Sequence, residues 1–444
     1  MSSVLTAVVA RTELDREMTM KKVALRIMPF VFLCYLVNFL DRTNIGYAAL
    51  TMNQDLNIGP VMFGWIVGIF FVGYCGSEVP SNLAYHRFGA RIWIARIMVT
   101  WGLITIFCAF VQSPTQLLVA RFLLGVAEGG FSPGMFMYLS GWFPARWRAK
   151  AMAIFLIGSP ISSVIGGPLS SAILSLHQVG GLKQWQWLFL LEGIPAIVLG
   201  IYCFFTLIDK PAKAAWLNED ERIWLTAELQ QEQAKIEQHY RMTLFQTLTN
   251  SRVLMLALTY LAGLIGLNGV VYWMPQIVKS YGLTNVEVGL VTAIPNLCGA
   301  IAMLIWARRS DRTGKRIWHV ITASLFGAAG MIVASLMQET TYIIMGLSFA
   351  LIGAFAFLAT FWALPPAFLT GRSAAAGFAL ILTVGNMSGF VGPLLVGWIK
   401  EATHSYSGSF LMLSTFLLGA ALLTALFGRR TRLLEDMDKQ TGKP

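Results

Sequence analysis

Twelve apolar stretches run through the chain, and each is long enough, at about 20 residues, to cross the ~30 Å hydrocarbon core of a bilayer as a helix. With 56% hydrophobic and 12% charged residues among 444, the chain has too little polar surface to cover a soluble globule. We therefore predict an all-α membrane protein of twelve transmembrane helices. The predicted spans are 27–49, 61–83, 92–112, 116–140, 150–174, 186–208, 253–274, 285–307, 317–337, 341–364, 375–399 and 408–428.

A polar stretch divides these spans six and six. Within it, Asn218 precedes three acidic residues and an apolar pattern, which predicts a capped amphipathic helix on the inner face of the membrane. The predicted domains are a cytoplasmic N-terminal segment (1–26), a six-helix bundle (27–208), a cytoplasmic linker (209–250), a second six-helix bundle (251–428) and a cytoplasmic tail (429–444).

The distribution of basic residues predicts the orientation. If both termini are cytoplasmic, 28 of the 33 Lys and Arg fall in inside segments or at the inner ends of spans, and the outside loops hold only Lys183, Lys279 and Lys400. This bias follows the positive-inside rule and predicts a multi-pass protein of the cell's inner membrane. The net charge of +11 then reflects basic loops against anionic lipid, and no nucleic acid partner is expected. The five cysteines lie in apolar spans without metal-ligand spacing, so no metal and no cofactor are expected.

Two pairs of opposite charges interrupt otherwise apolar spans: Asp41 and Arg42 in the first, Arg121 and Glu128 in the fourth. Each costs about 3 kcal/mol or more at a bilayer centre, which favours a functional role. Arg121 and Glu128 are seven residues apart, so a helix presents them on nearly the same side, about 10.5 Å apart along its axis. The planar guanidinium suits a carboxylate ligand, and a carboxyl group in low dielectric can hold a proton. The alternative is two structural ion pairs that fix helix packing.

Other polar residues of the spans are weaker candidates. Tyr74 can bond an anion or pack as an aromatic side chain. Asn386 can bond a hydroxyl or carboxylate, or hold helices together. Glu78 and Glu192 are expected nearer span ends, as packing or hinge pairs.

An internal repeat relates the two groups of spans. The loop His86–Trp93 follows the second span and the loop Asp311–Trp318 follows the eighth, and five of their eight positions match. The equivalent positions in the two halves indicate duplication of a six-helix unit.

These motifs resemble those of a known family. Asp-Arg-x-Gly-Lys-Arg between two helices, with twelve spans and a central loop, resembles the major facilitator superfamily. Three stretches, Leu40–Gly46, Arg121–Gly134 and Trp187–Pro195, are similar to its anion:cation symporters, a branch that includes bacterial permeases for sugar acids, tartrate, phthalate and 4-hydroxyphenylacetate. The resemblance implies two pseudo-symmetric six-helix bundles and transport by alternating access.

The resemblance also implies roles for individual residues. Arg42, Arg121, Tyr74 and Asn386 are the expected substrate ligands, and Asp41 and Glu128 the expected proton carriers. The repeated loops are expected to hold the halves together on the cytoplasmic side when the site opens outward. The expected gating residues are Asp311, Arg312, Gly314 and Arg316 in the second half and Arg87, Gly89 and Arg91 in the first. The first loop departs from the family pattern, with His86 at the acid position and Ala90 at a basic one.

The predicted function is secondary active transport: proton-coupled uptake of a small organic anion, with a hydroxylated carboxylate such as tartrate or a sugar acid favoured. An aromatic carboxylate, or exchange of organic anions without proton coupling, remains an alternative. No nucleotide-binding Gly-x-x-x-x-Gly-Lys-Ser/Thr motif and no catalytic constellation is present, so neither an ATP-driven pump nor an enzyme is expected. The expected partners are the carboxylate, protons and the bilayer, and the chain is expected to be a monomer.

Overall fold

The computed structural model describes residues 13–176, 179–238, 250–365 and 371–441, and within these ranges the secondary structure is helical. The first half contains α1 (Glu13–Asp55), α2 (Pro60–Phe88), α3 (Ala90–Cys108), α4 (Pro114–Glu128), α5 (Phe131–Ser140), α6 (Ala145–Leu156), α7 (Gly158–Leu174) and α8 (Gln184–Thr206). After α9 (Glu219–Gln238), the second half contains α10 (Ser251–Lys279), α11 (Asn285–Thr313), α12 (Arg316–Leu336), α13 (Thr340–Phe361), α14 (Gly371–Asn386), α15 (Ser388–Thr403) and α16 (Ser407–Thr441). Parts of the predicted cytoplasmic segments, residues 1–12, 239–249 and 442–444, lie outside the described residues.

The fourth predicted span differs from the others. Eleven helical segments in the described ranges are long and apolar enough to cross a membrane, and each matches a predicted span. The fourth span instead consists of α4 and α5, separated by Gly129 and Gly130. Gly130 has a φ of 104°, and a Cβ there would clash with Ser81. The break directly follows Glu128, so Arg121 and Glu128 share α4 as predicted.

The helix contacts repeat between the halves. In the first half α2 packs on α4, α3 on α8 and α1 on α7. The second half repeats these pairs as α11 with α13, α12 with α16, and α10 with α14 and α15. The chain thus forms two pseudo-symmetric six-helix bundles, as the repeated loop predicted.

The closest contacts between the halves lie at the end of the molecule that carries loops 56–59, 175–183, 280–284 and 404–406, here called the closed end. Three helix pairs form most of the contact across the halves: α1 with α10, α2 with α15, and α7 with α11. Glycines permit this approach: a Cβ on Gly64 would lie 2.9 Å from the Leu394 Cα, and one on Gly167 would lie 2.5 Å from the Gly289 carbonyl oxygen. The hydroxyls of Tyr47 and Thr292, both buried, are hydrogen-bonded 3.0 Å apart across the same contact.

Tyr47→Phe should open the closed end more often. The change removes one buried hydrogen bond between the halves, and a net loss of about 1 kcal/mol corresponds to roughly fivefold more of the open form. The readout is maleimide labelling of a cysteine at Ser171, a position that packs against Gly289. Labelling should be roughly fivefold faster. The control is Tyr202→Phe on the exposed face of α8, and equal rates in both variants would show that the Tyr47 bond does not hold the closed end.

The linker helix α9 packs on the first half. The Asn218 side chain accepts a hydrogen bond from the Glu221 backbone N–H at 2.7 Å, so the predicted cap is confirmed. Trp224 is buried, and Lys22 of α1 forms an ion pair with Glu221 at 2.8 Å. Arg148 adds a second ion pair, to Glu232, at 3.0 Å. These contacts attach the linker helix to the end of the first bundle opposite the closed end.

Candidate functional site

Small residues bring α2 against α4 and so assemble the charged site. A Cβ on Gly125 would clash with the Phe70 backbone, and one on Gly73 would clash with the Phe122 backbone. Backbones that approach this closely are typical of helices packed in lipid through small residues. The rings of α2 consequently lie beside the charges of α1 and α4, where Phe70 is 5.6 Å from the Arg42 guanidinium and 5.0 Å from that of Arg121.

Arg42 and Glu128 form an ion pair that links α1 to α4. The Arg42 Nε donates to Glu128 Oε1, and the Asn38 Nδ2 donates to the same oxygen at 2.8 Å. Glu128 is 0% exposed, and its second oxygen has no hydrogen-bond partner. The Tyr74 ring lies 4.7 Å from the Arg42 guanidinium. Tyr74 is thus placed to orient Arg42.

Arg121 is a buried cation without an ion-pair partner in the described part of the chain. Its residue is 1% exposed, and its Nε and Nη2 have no hydrogen-bond acceptor. The Nη2 of Arg42 is also buried and unpaired. Three guanidinium nitrogens in one site therefore lack acceptors, which is costly in a buried position unless a ligand supplies the oxygens.

Asp41 lies in the same cluster but makes neutral contacts. Its two oxygens accept hydrogen bonds from Asn44 Nδ2 at 3.1 Å and from Thr105 Oγ1 at 2.9 Å. Arg121 is within electrostatic range of it, beyond ion-pair distance. The alternative of two structural ion pairs therefore does not describe the site, because among its four charged residues only Arg42 and Glu128 form an ion pair.

The second half contributes polar residues, one of which the sequence did not single out. Tyr272 of α10 faces Arg42, Arg121 and Glu128 from across the site and is 4% exposed. Its position was not recognisable beforehand, because the helix face it occupies depends on the packing of α10 against α1. Asn386, a predicted ligand, is the half-buried last residue of α14 and has no hydrogen-bond partner among the described residues.

The second-half loop is exposed at the end opposite the closed end. Gly314 ends α11 with a left-handed φ of 66°, and Arg316 donates to the carbonyl oxygen of Ala363, at the end of α13, at 2.9 Å. Asp311 and Arg312 are exposed and form no ion pair within the described chain. In the described part of the chain, Asp311 and Arg312 form no ion pair with the first half in this conformation, and their gating role stays a prediction.

The first-half loop is bonded to Asp209, an acid of the predicted linker. Asp209 accepts a hydrogen bond from the Arg91 backbone N–H at 2.8 Å, which caps the start of α3. Gly89, with a φ of 84°, leaves room for this carboxylate. Arg87 lies over the Phe88 ring, and His86, at the family's acid position, is exposed.

Asp311→Asn tests the expected latch. It should slow transport several-fold while leaving anion binding unchanged, because the latch acts only in the conformation that is open at the closed end. The measurements are the initial rate of uptake and the dissociation constant of the anion. Asp220→Asn, an exposed acid of α9, is the control, and an unchanged rate for Asp311→Asn would contradict the latch.

Comparisons with known proteins agree with this architecture. The model of the Major Facilitator Superfamily matches residues 31–393 and 277–443. The chain belongs to the Major Facilitator Superfamily. A relative from Agrobacterium vitis, named as a tartrate transporter, is 46% identical over 92% of this chain and 91% of its own length. A quinolone resistance transporter of Acinetobacter baumannii is 38% identical over 91% of this chain and 93% of its own.

The fold is shared with a solved transporter. A bacterial homologue of the human lysosomal transporter Spinster, in an inward-facing and occupied conformation, has a TM-score of 0.74 at 17% identity and covers 91% of this chain and 96% of its own. The predicted superfamily and fold are therefore confirmed. As a superfamily member, the chain is a multi-pass membrane transporter and not an enzyme.

Proposed function

We propose that this transporter carries a small organic anion, with a hydroxylated carboxylate as substrate, in symport with protons. The observation that carries the proposal is the set of three unpaired guanidinium nitrogens on Arg42 and Arg121. A carboxylate offers several acceptor lone pairs in the plane that a guanidinium prefers, whereas a neutral sugar or a cationic drug does not. The named tartrate transporter at 46% identity supports the same substrate class.

The Arg42–Glu128 pair supplies the means of coupling. Arg42 can bond the Glu128 carboxylate or the carboxylate of the substrate, and the two compete for it. A proton on Glu128 removes its charge and releases Arg42, so that Arg42 and Arg121 together receive the anion. By reciprocity, anion binding favours proton binding. Asp41, which is within range of Arg121, carries the second predicted proton role.

Alternating access completes the cycle. The two halves rock about the site, so that the closed end opens while the opposite end closes. The proposed orientation places both termini in the cytoplasm and the closed end on the outer side of the cell's inner membrane. This orientation keeps most Lys and Arg residues on the cytoplasmic side. The chain contains both halves, and a monomer is the proposed functional unit.

The aromatic residues of the second half favour a small substrate over an aromatic one. Tyr260 stacks on Phe361 at 4.7 Å, and Trp362 stacks on Phe378 at 5.8 Å. Trp273 is buried, and its indole nitrogen donates to the Pro393 carbonyl oxygen at 3.0 Å. Because these rings pack on one another or on backbone, they support the fold more than they offer a free surface to an aromatic carboxylate.

Uptake into proteoliposomes tests the proposal. The purified protein is given an inward proton gradient and labelled tartrate, galactonate, phthalate, 4-hydroxyphenylacetate or a quinolone. Accumulation of tartrate or galactonate that a protonophore abolishes is the expected result. Accumulation of an aromatic acid or the quinolone instead would overturn the substrate class. Uptake that ignores the gradient and requires anion inside the vesicle would identify an exchanger.

A further inference from the structure

A further buried acid of the first half, Glu192 of α8, has no role in the proposed coupling. It is 6% exposed, and its Oε1 accepts a hydrogen bond from Ser170 Oγ at 3.1 Å. Its Oε2 is buried without a hydrogen-bond partner, and no Lys, Arg or His of the described chain lies within ion-pair distance. An acid in this position is compensated neither by a charge nor by a full set of donors.

Asn44 connects Glu192 to the site. Its amide nitrogen donates to Asp41, and its side chain also faces the Glu192 carboxyl. The Asn44 Oδ1 is buried and has no donor. The Asn44 amide thus lies between two carboxyl groups, those of Asp41 and Glu192. A proton on Glu192 would give its carboxyl group an O–H donor that the ionised form lacks.

The charged groups of the site also leave Glu192 without a positive partner. Arg42 pairs with Glu128 and faces Glu78, and Arg121 is within range of Asp41. No arginine of the described ranges is among the groups that interact with Glu192. The groups around it are Asp41, Asn44 and Tyr47 of α1 and Ser170 of α7. An ionised Glu192 would therefore stand as a buried negative charge beside another acid, which is costly.

Glu192 also lies near the contact that holds the closed end together. Tyr47 lies within electrostatic range of Glu192, and its hydroxyl makes the hydrogen bond to Thr292 across the halves. Glu192 therefore lies near both Asp41 and the Tyr47–Thr292 contact, which must break when the closed end opens.

We propose that Glu192 is an additional proton-binding group of the transport cycle, coupled to Asp41 through Asn44. The inference rests on the proposed proton symport. It assigns a proton-binding group that does not touch the substrate, and it requires at least two protons per anion.

The test is the proton-to-anion ratio in proteoliposomes at zero membrane potential. The logarithm of the accumulation ratio is measured against the pH difference, and its slope is the number of protons per anion. Wild type should give a slope of two or more. Glu192→Gln, which keeps the shape of the neutral acid, should lower the slope by one, equivalent to about tenfold less accumulation for each pH unit. Counterflow of the anion should survive in this variant.

Ser170→Ala separates a proton site from a structural one. This variant removes a hydrogen bond of the network but keeps the acid, so its slope should remain that of wild type. Equal slopes in wild type and Glu192→Gln would overturn the inference. A wild-type slope of one would also overturn it, and this measurement does not require that any variant folds. Anion uptake by wild type that ignores the pH difference would instead overturn the proposed symport itself.

Discussion

Arg121→Lys should lower the rate of anion uptake roughly 100-fold, because a buried charge that loses its hydrogen-bonded partner costs several kcal/mol. Lysine keeps the charge but loses the planar fork, and with it the Nε and Nη2 donors that are unpaired in the structure. The loss should appear mainly as weaker anion binding, measured by isothermal titration and by the concentration dependence of uptake.

The control for Arg121 is Arg96→Lys. Arg96 is also partly buried, but its guanidinium lies 4.0 Å from the Trp93 ring, away from the charged site. This variant should transport nearly as well as wild type. If both lysine variants bind the anion with wild-type affinity, the two-arginine site is not the binding site.

Glu128→Gln is expected to remove one proton from the coupled transport cycle. The amide keeps the shape of the side chain but carries no charge, so Arg42 is released from its partner whatever the pH. Anion binding should depend less on pH than in wild type, and accumulation under a gradient of one pH unit should fall by about tenfold. Counterflow should persist, because exchange requires no net proton release. The measurements are binding at several pH values, gradient-driven uptake and counterflow on one preparation.

Two further variants show whether the expected effect is specific to Glu128. Glu339→Gln, an exposed acid at the start of α13, should behave as wild type. Glu192→Gln should lower the proton-to-anion ratio and retain the pH dependence of binding, because Glu192 does not contact Arg42. Intact proton-driven accumulation in Glu128→Gln would remove the proton role from Glu128.

Much of the fold follows from local properties of the chain. A stretch of about 20 apolar residues must be helical in lipid, since its backbone groups have no other partners there. The twelve spans, the repeat and the cap of α9 by Asn218 could therefore be predicted. The shared face of Arg121 and Glu128 follows from helical periodicity alone, because α4 ends only after Glu128. The break at Gly130 was not predicted, since glycines are also common within transmembrane helices.

The sequence by itself determined which charges enter the membrane, and only the tertiary structure decided their partners. Arg42 pairs with Glu128, 86 residues away, while its neighbour Asp41 is bonded to Asn44 and Thr105. Asp209 caps α3, and Tyr272 faces both arginines from the second half. Apart from the hydrogen bond between Asp41 and Asn44, which are three residues apart on α1, none of these contacts follows from spacing along one helix. Each depends on how closely two helices approach and on their rotation, which side-chain volumes and glycines such as Gly73 and Gly125 set only after the bundles have packed.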